Sequence, residues 1–255
     1  MATVGKSDHQ YRDRGVNTGT YFYYTVRTIY GETGGKFTAA VGTYTGYLWT
    51  VDWLSGMGRG IAKLNPISCN IIASFPAPAE GPVGLAWDGE YLYNSASVTG
   101  DGFIYKIDPR TGSTVSSFAS PGIWPQGLTY DGRYLWVAVY EYIYKLEPGN
   151  GSIVRSFKTP YTYPRGLTWD GKYLWNSANE SIYKIDTANG SWISSFSSPG
   201  PYPRGLGWDG TYLWNADWDG ATDTGLIYKL NPVSGFVVGS FPSPGRHPRG
   251  LEVER

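Results

Sequence analysis

From residue 47 onward, apolar and polar positions alternate in short runs that never lengthen into a helical period. Tyr183 and Ile185 fall on one side and Lys184 and Asp186 on the other, the two-residue period of a half-buried strand. The segment 166–204, GLTWDGKYLWNSANESIYKIDTANGSWISSFSSPGPYPR, holds four such runs, each bounded by Gly, Asn, Asp or Pro. Between the first two runs stands Asp170-Gly171, a tight-turn signal, because Gly accepts positive φ at no steric cost. Four antiparallel strands of this length make one small twisted sheet. Such a sheet cannot bury both faces alone, so copies have to pack on one another.

Copies are present. The Ser-Phe pair of the fourth run recurs at Phe75, Phe118, Phe157, Phe196 and Phe241. Ile61, Ile104, Ile143, Ile182 and Ile227 open the third run, always 14 positions before that Phe. Gly-Leu opens the first run at Gly84, Gly127, Gly166, Gly205 and Gly250, always 9 positions after it. Only the link between second and third runs varies, from 7 positions (Trp136 to Ile143) to 13 (Trp214 to Ile227). A scaffold of fixed length with one variable connection is how repeat folds carry a binding face.

The two ends of the repeat region complement each other. The chain finishes with GLEVER, a first run with nothing after it, and the first copy begins at YLWTVDW, a second run. Leu251 and Val253 are therefore expected to complete the sheet begun by residues 47–83. The result is an all-β, five-bladed β-propeller of four-stranded blades closed by the C-terminal strand. A six-bladed ring, with residues 20–45 in an irregular blade, is the alternative.

The blade sequence Pro-x-Gly-Leu-x-Trp-Asp-Gly-x-Tyr-Leu-Trp, then Ile-Tyr-Lys-Ile-Asp and Ser-Phe, resembles extracellular bacterial and archaeal propellers of the YVTN and NHL style. The resemblance spans residues 47–255 and implies a secreted or cell-surface protein. Residues 1–45 lie outside the repeat and form a separate N-terminal arm, with the propeller domain at 46–255. Within the arm, GTYFYYTVRTIYGETGGKFTAAV reads as a hairpin with Phe22, Tyr24, Val26 and Thr28 on one face. Together with Asp13 to Gly15 it resembles the last strands of a fibronectin type III domain. An isolated hairpin is marginal in water, so residues 20–45 are expected to meet a protein partner or a second copy of the chain.

Composition narrows the function classes. Lys plus Arg and Asp plus Glu are 21 each, so formal net charge is zero and nothing steers the chain to nucleic acid. No apolar run approaches the roughly 20 residues that span a bilayer, so membrane insertion is not expected. The opening MATVGKSDHQ lacks the hydrophobic stretch of a signal peptide. The single Cys69 excludes an internal disulfide, and no Cys-rich zinc motif is present.

Propeller topology puts the link from fourth to first strand on the same face as the variable loop. That link carries Trp124, Gln126, Tyr161, Tyr163, Arg165, Tyr202, Arg204, His247 and Arg249. Pro-Arg-Gly triplets set Arg165, Arg204 and Arg249 just ahead of the innermost strands, so three guanidiniums should ring the channel mouth. There they could hold an anionic group, that of a glycan or an anionic polymer, by paired hydrogen bonds. The alternative is that each pairs with a carboxylate or carbonyl of the next blade. Non-repeated aromatics (Trp53, Trp124, Tyr161, Trp218) and the amides Asn176, Asn179 and Asn215 suggest a glycan, whose rings stack on flat side chains. Asp217, Asp219 and Asp223 alternate around a Gly, an oxygen-rich pattern that suits calcium; no other cofactor is implied.

Catalytic signals are sparse, with His9 and His247 the only histidines. Gly250-Leu251-Glu252 resembles an inner-strand segment of plant-type glutaminyl cyclases, which would make Glu252 an acid/base carboxylate. The other repeats carry Ala86, Thr129, Thr168 and Gly207 at that position. The reading that fits most residues is a non-enzymatic binding or assembly propeller, with a glycan-binding propeller and a cyclase-like enzyme as alternatives.

Overall fold

The computed structural model describes residues 23–25, 40–42, 46–54 and 58–254, without the side chains of 23–25, 40–42 and Trp53. The chain divides into two compact units, Met1–Thr45 and Gly46–Arg255. In the first, β1 (Tyr23–Thr25) pairs antiparallel with β2 (Ala40–Gly42), Tyr24 opposite Val41. The expected turn between them, the face formed by Phe22, Val26 and Thr28, and the fibronectin-like stretch at 13–15 lie outside the described residues.

Among the described residues, the regular structure of the second unit is all strand. Blade I contains β3 (Tyr47–Leu54), β4 (Gly58–Leu64) and β5 (Ile71–Pro76). Blade II runs β6 (Pro82–Trp87), β7 (Leu92–Val98), β8 (Asp101–Ile107), β9 (Thr114–Ala119). Blade III runs β10 (Pro125–Tyr130), β11 (Leu135–Val139), β12 (Tyr142–Leu146), β13 (Ile153–Lys158). Blade IV runs β14 (Leu167–Trp169), β15 (Leu174–Ala178), β16 (Ser181–Ile185), β17 (Trp192–Ser197). Blade V runs β18 (Pro203–Trp208), β19 (Leu213–Asp219), β20 (Thr224–Leu230), β21 (Val237–Pro242). The last strand, β22 (Leu251–Glu254), returns to blade I as its inner strand, giving the order β22-β3-β4-β5. Five blades of four antiparallel strands form a closed β-propeller; the six-bladed alternative is excluded.

Closure is visible around the axis. A Cβ on Gly84 would overlap the Gln126 carbonyl of the next blade, and one on Gly127 the Arg165 carbonyl. Gly166 meets Arg204 in the same way, Gly205 meets Arg249 and Leu251, and Gly250 meets Val83. The inner strands approach so closely that only glycine fits, which explains the Gly of every Gly-Leu pair. Second-strand polar side chains tie this inner wall. Asn94 and Asn176 donate to the Gly84 and Gly166 carbonyls, Ser177 Oγ to the Arg204 carbonyl at 2.9 Å, and Thr50 Oγ1 to the Gly250 carbonyl at 3.0 Å.

The apolar core lies between blades. Trp136, Ile143 and Phe157 of blade III pack on Leu167, Leu174 and Ile185 of blade IV. The other repeat signatures have equally local causes. In the Trp-Asp-Gly motif, Asp170 Oδ1 accepts from the backbone N–H groups of Lys172 (2.8 Å) and Tyr173 (2.7 Å). Its Oδ2 accepts from Trp175 Nε1 at 2.9 Å and pairs with Lys184 at 3.4 Å. Lys184 in turn lies over the rings of Tyr173 and Trp175. The Asp-Gly-x-Tyr-Leu-Trp and Tyr-Lys sequences encode the same half-buried polar knot in blades III, IV and V.

Candidate functional site

The residue ahead of each inner-strand glycine is Val83, Gln126, Arg165, Arg204 or Arg249, one per blade. With Gly127 these five line an axial opening of about 10 Å³. A space of that size takes about one water-sized group. The Arg204 pKa is lowered to about 10, first by burial and then by the charges of Arg249 and Arg165, with Asp217 pulling the other way. Arg249 is also lowered, first by burial and then by Arg59 and Arg165. The guanidinium Nε of Arg204 is buried without a hydrogen-bond partner. Among the described residues, no carboxylate forms a salt bridge with any of the three. The result is a crowded cluster of positive charge facing a gap the width of one oxygen.

Two buried carboxylates hold the loops that carry Arg204 and Arg249. Asp217 on β19 accepts from Ser198 Oγ at 3.2 Å and from the Tyr202 N–H at 3.1 Å. Asp52 on β3 accepts from Ser243 Oγ, the Gly245 N–H (2.9 Å) and the His247 N–H (2.9 Å). The two occupy the same repeat position, where the other blades carry Ala96, Val139 and Ala178. Sequence reading singled out Asp217 for another reason and missed Asp52; aligning the copies on the Tyr-Leu pairs of their second strands would have exposed both. Burial raises the Asp217 pKa to about 6, against the opposing pull of its hydrogen bonds and Arg204.

The aromatics of this face divide into two groups. Trp124 and Tyr163 are exposed, with φ of +69° and +56°, a backbone region that bulky residues avoid. Trp124 lies 5.8 Å from Tyr140, which is also exposed and at positive φ. Tyr202, Trp218 and His247 form a second cluster: Tyr202 to Trp218 is 5.3 Å, and His247 meets the Trp218 ring edge-on at 5.3 Å. Arg204 sits over Trp218 at 5.4 Å. Tyr161 belongs instead to the interior, buried and stacked at 4.2 Å on Tyr183. The side chain of Trp53 lies outside the described residues.

Other candidates are placed apart. Asn176 and Asn215 are fully buried and donate to the Gly166 and Gly205 carbonyls, so they are unavailable to a sugar; Asn179 is exposed. Asp217, Asp219 and Asp223 are not gathered around one point. Asp217 faces the 198–202 loop, Asp219 accepts from Ala221 N and Thr222 Oγ1, and Asp223 pairs with His247 (2.8 Å) and Arg246 (3.3 Å). Among the described residues no group of three His, Cys, Asp or Glu is placed to hold a metal ion. Glu252 is buried on β22 opposite Trp49, its Oε1 accepting from the Val253 N–H at 2.9 Å. No helix among the described residues is long and apolar enough to cross a membrane.

No family model matches the chain, and no curated protein matches it. Solved structures do resemble it. A glutaminyl cyclase from Myxococcus xanthus is 15% identical with a TM-score of 0.58, over 68% of this chain and 76% of that one. A chain of a nidogen/laminin complex is 14% identical with a TM-score of 0.57, over 82% and 98%. TolB from Acinetobacter baumannii is 15% identical with a TM-score of 0.56, over 84% and 68%. At such identities the likeness is one of fold.

Proposed function

We propose that this protein is a non-enzymatic binding propeller, secreted or held at a cell surface, that captures an anionic group at the axial mouth of its loop face. One observation carries the reading: three guanidiniums at equivalent repeat positions converge on a single small opening with no carboxylate bridging them among the described residues. Bringing like charges together under partial burial costs stability, and an anion there returns it. The rigid blades beneath hold the donors in place before binding, which lowers the ordering cost. The solved structure of a nidogen/laminin complex illustrates a related fold in a protein assembly, and the repeat style supports the extracellular setting.

Titration calorimetry with sodium sulfate in a low-chloride buffer tests the site. Saturable one-site binding that weakens at least about tenfold in Arg165→Gln or Arg249→Gln is expected. Sulfate uptake that is absent, or indifferent to both substitutions, would overturn it. An N-terminal Gln peptide is expected to stay uncyclised beyond its spontaneous rate. Turnover that disappears in Glu252→Gln would replace the binding reading with an enzymatic one.

A further inference from the structure

Two positions ahead of the axial residues stand Gly81, Trp124, Tyr163, Tyr202 and His247, one per blade. Each is separated from its axial partner by a single proline. The axial cations are therefore surrounded by a second belt that is aromatic or imidazole in every blade but II. Three of its members present flat surface to solvent: Trp124 is 56% exposed, Tyr163 73% and Tyr202 45%. Trp124 and Tyr163 hold these positions at positive φ. Packing gains the fold little from such exposed rings, and the backbone strain opposes them. Strain kept at an exposed, cation-lined mouth is the mark of a site shaped for something outside the chain.

Blade II opens the belt. Gly81 has no side chain there, and a recess of about 720 Å³ lies beside it, bordered by Arg59, residues 77–81 and Ser97. The Arg59 guanidinium donates to the Glu80 carbonyl at 2.6 Å, extending the positive region outward from Arg249. The axial residues, the exposed rings and the recess at Gly81 all belong to the links between fourth and first strands, a single proline apart within each link.

This surface asks for a particular chemistry. The opening admits about one oxygen, so it fits an isolated acidic group rather than a run of phosphates. A chain of zero net charge offers no extended track for a polyanion. Flat exposed rings want a partner with an apolar face and polar edges. Building on the anion site proposed above, we infer that the ligand is a glycan bearing an acidic sugar. One oxygen of its carboxylate or sulfate enters between Arg165, Arg204 and Arg249, its ring stacks on Tyr163 or Trp124, and the rest of the glycan leaves over the Gly81 recess.

The test pairs each acid with its neutral twin. Calorimetry would compare tri-galacturonate, its methyl ester, and a printed set of sulfated, sialylated and neutral oligosaccharides, with inorganic sulfate as reference. At least one acidic oligosaccharide is expected to bind tighter than sulfate and about tenfold or more tighter than its uncharged counterpart. Tyr163→Ala and Trp124→Ala, both exposed, should weaken that oligosaccharide roughly 2- to 10-fold while leaving sulfate affinity unchanged. Melting curves matching the wild type would confirm that both variants are folded. If sulfate binds but no acidic oligosaccharide exceeds it, the sugar inference fails and the anion site stands. Failure of sulfate and sugars alike removes both. Capture of a peptide carboxylate or an oligonucleotide in place of any glycan also overturns the inference.

Discussion

The indole Nε1 of Trp49 donates to Glu254 Oε2 at 2.6 Å, joining positions 205 apart in the chain. Lys63 Nζ pairs with the other oxygen of the same carboxylate at 2.8 Å. This repeats the knot that Asp131 makes with Trp136 and Lys145, and Asp209 with Trp214 and Lys229. Glu254 thus replaces the aspartate of the Trp-Asp-Gly motif in the one blade assembled from both ends of the repeat region.

Removing that clasp should weaken the whole ring. Glu254→Ala leaves the half-buried indole N–H and ammonium without their acceptor, an expected loss of about 1–3 kcal/mol in urea unfolding. Deleting residues 250–255 takes away β22 and exposes the inner edge of β3. Cooperative unfolding should then be lost. A truncated chain that melts like the full one would show that closure contributes nothing.

The axial glycines should tolerate no side chain. A methyl group at Gly166 would overlap the Arg204 carbonyl of the next blade, whereas Gly171 has open space and only its φ of +97° to satisfy. Gly166→Ala is expected to cost several times the roughly 1–2 kcal/mol anticipated for Gly171→Ala. Chemical denaturation of the two variants side by side checks the ordering.

Cys69 should be replaceable with profit. It occupies the turn position held by Gly112, Gly151, Gly190 and Gly235 in the other blades and has the same left-handed backbone, φ +59°. Cys69→Gly relieves about 1–2 kcal/mol of steric strain against roughly 0.5–1 kcal/mol of added chain entropy. A small rise in unfolding midpoint is expected; a fall would show that the thiol packs usefully.

Asp217 gives the site a pH dependence of definite sign. Its pKa is raised from 3.8 to about 6, chiefly by burial, so the folded state holds a proton that the unfolded state has released. This group therefore adds stability below about pH 4, and the contribution fades as pH rises through about 6. Protonation also removes the negative charge that partly offsets Arg204. Sulfate affinity should rise as pH falls from 7 to 5, and Asp217→Asn should flatten both trends. An unchanged pH profile in that variant would assign the titration elsewhere.

Much of this molecule is written locally. Period-two runs and the Asp-Gly turns suffice to give the strands, because each rests on neighbours within one repeat. The fixed repeat spacing shows which strand each end lacks, and so gives five blades ahead of six and the pairing of GLEVER with Tyr47–Leu54. The same regularity marks Arg165, Arg204 and Arg249 as a set. What alignment of single residues could not supply is which polar side chains the packed sheets take up. Asn176, polar and next to Trp175, reads as a surface ligand group, yet it lies opposite Leu167 in its own blade and donates to the Gly166 carbonyl. Asp217, Asp219 and Asp223 look like one cluster, and the first two do share a strand face, but Asp217 is taken up by Ser198 and the Tyr202 N–H, Asp219 by its own turn and Asp223 by His247. The exposure of Trp124 and Tyr163 at positive φ is a matter of loop torsions that the repeat pattern does not record. Chain-local chemistry determined the blade, and contacts between distant segments decided which of its polar groups face inward and which are left for a ligand.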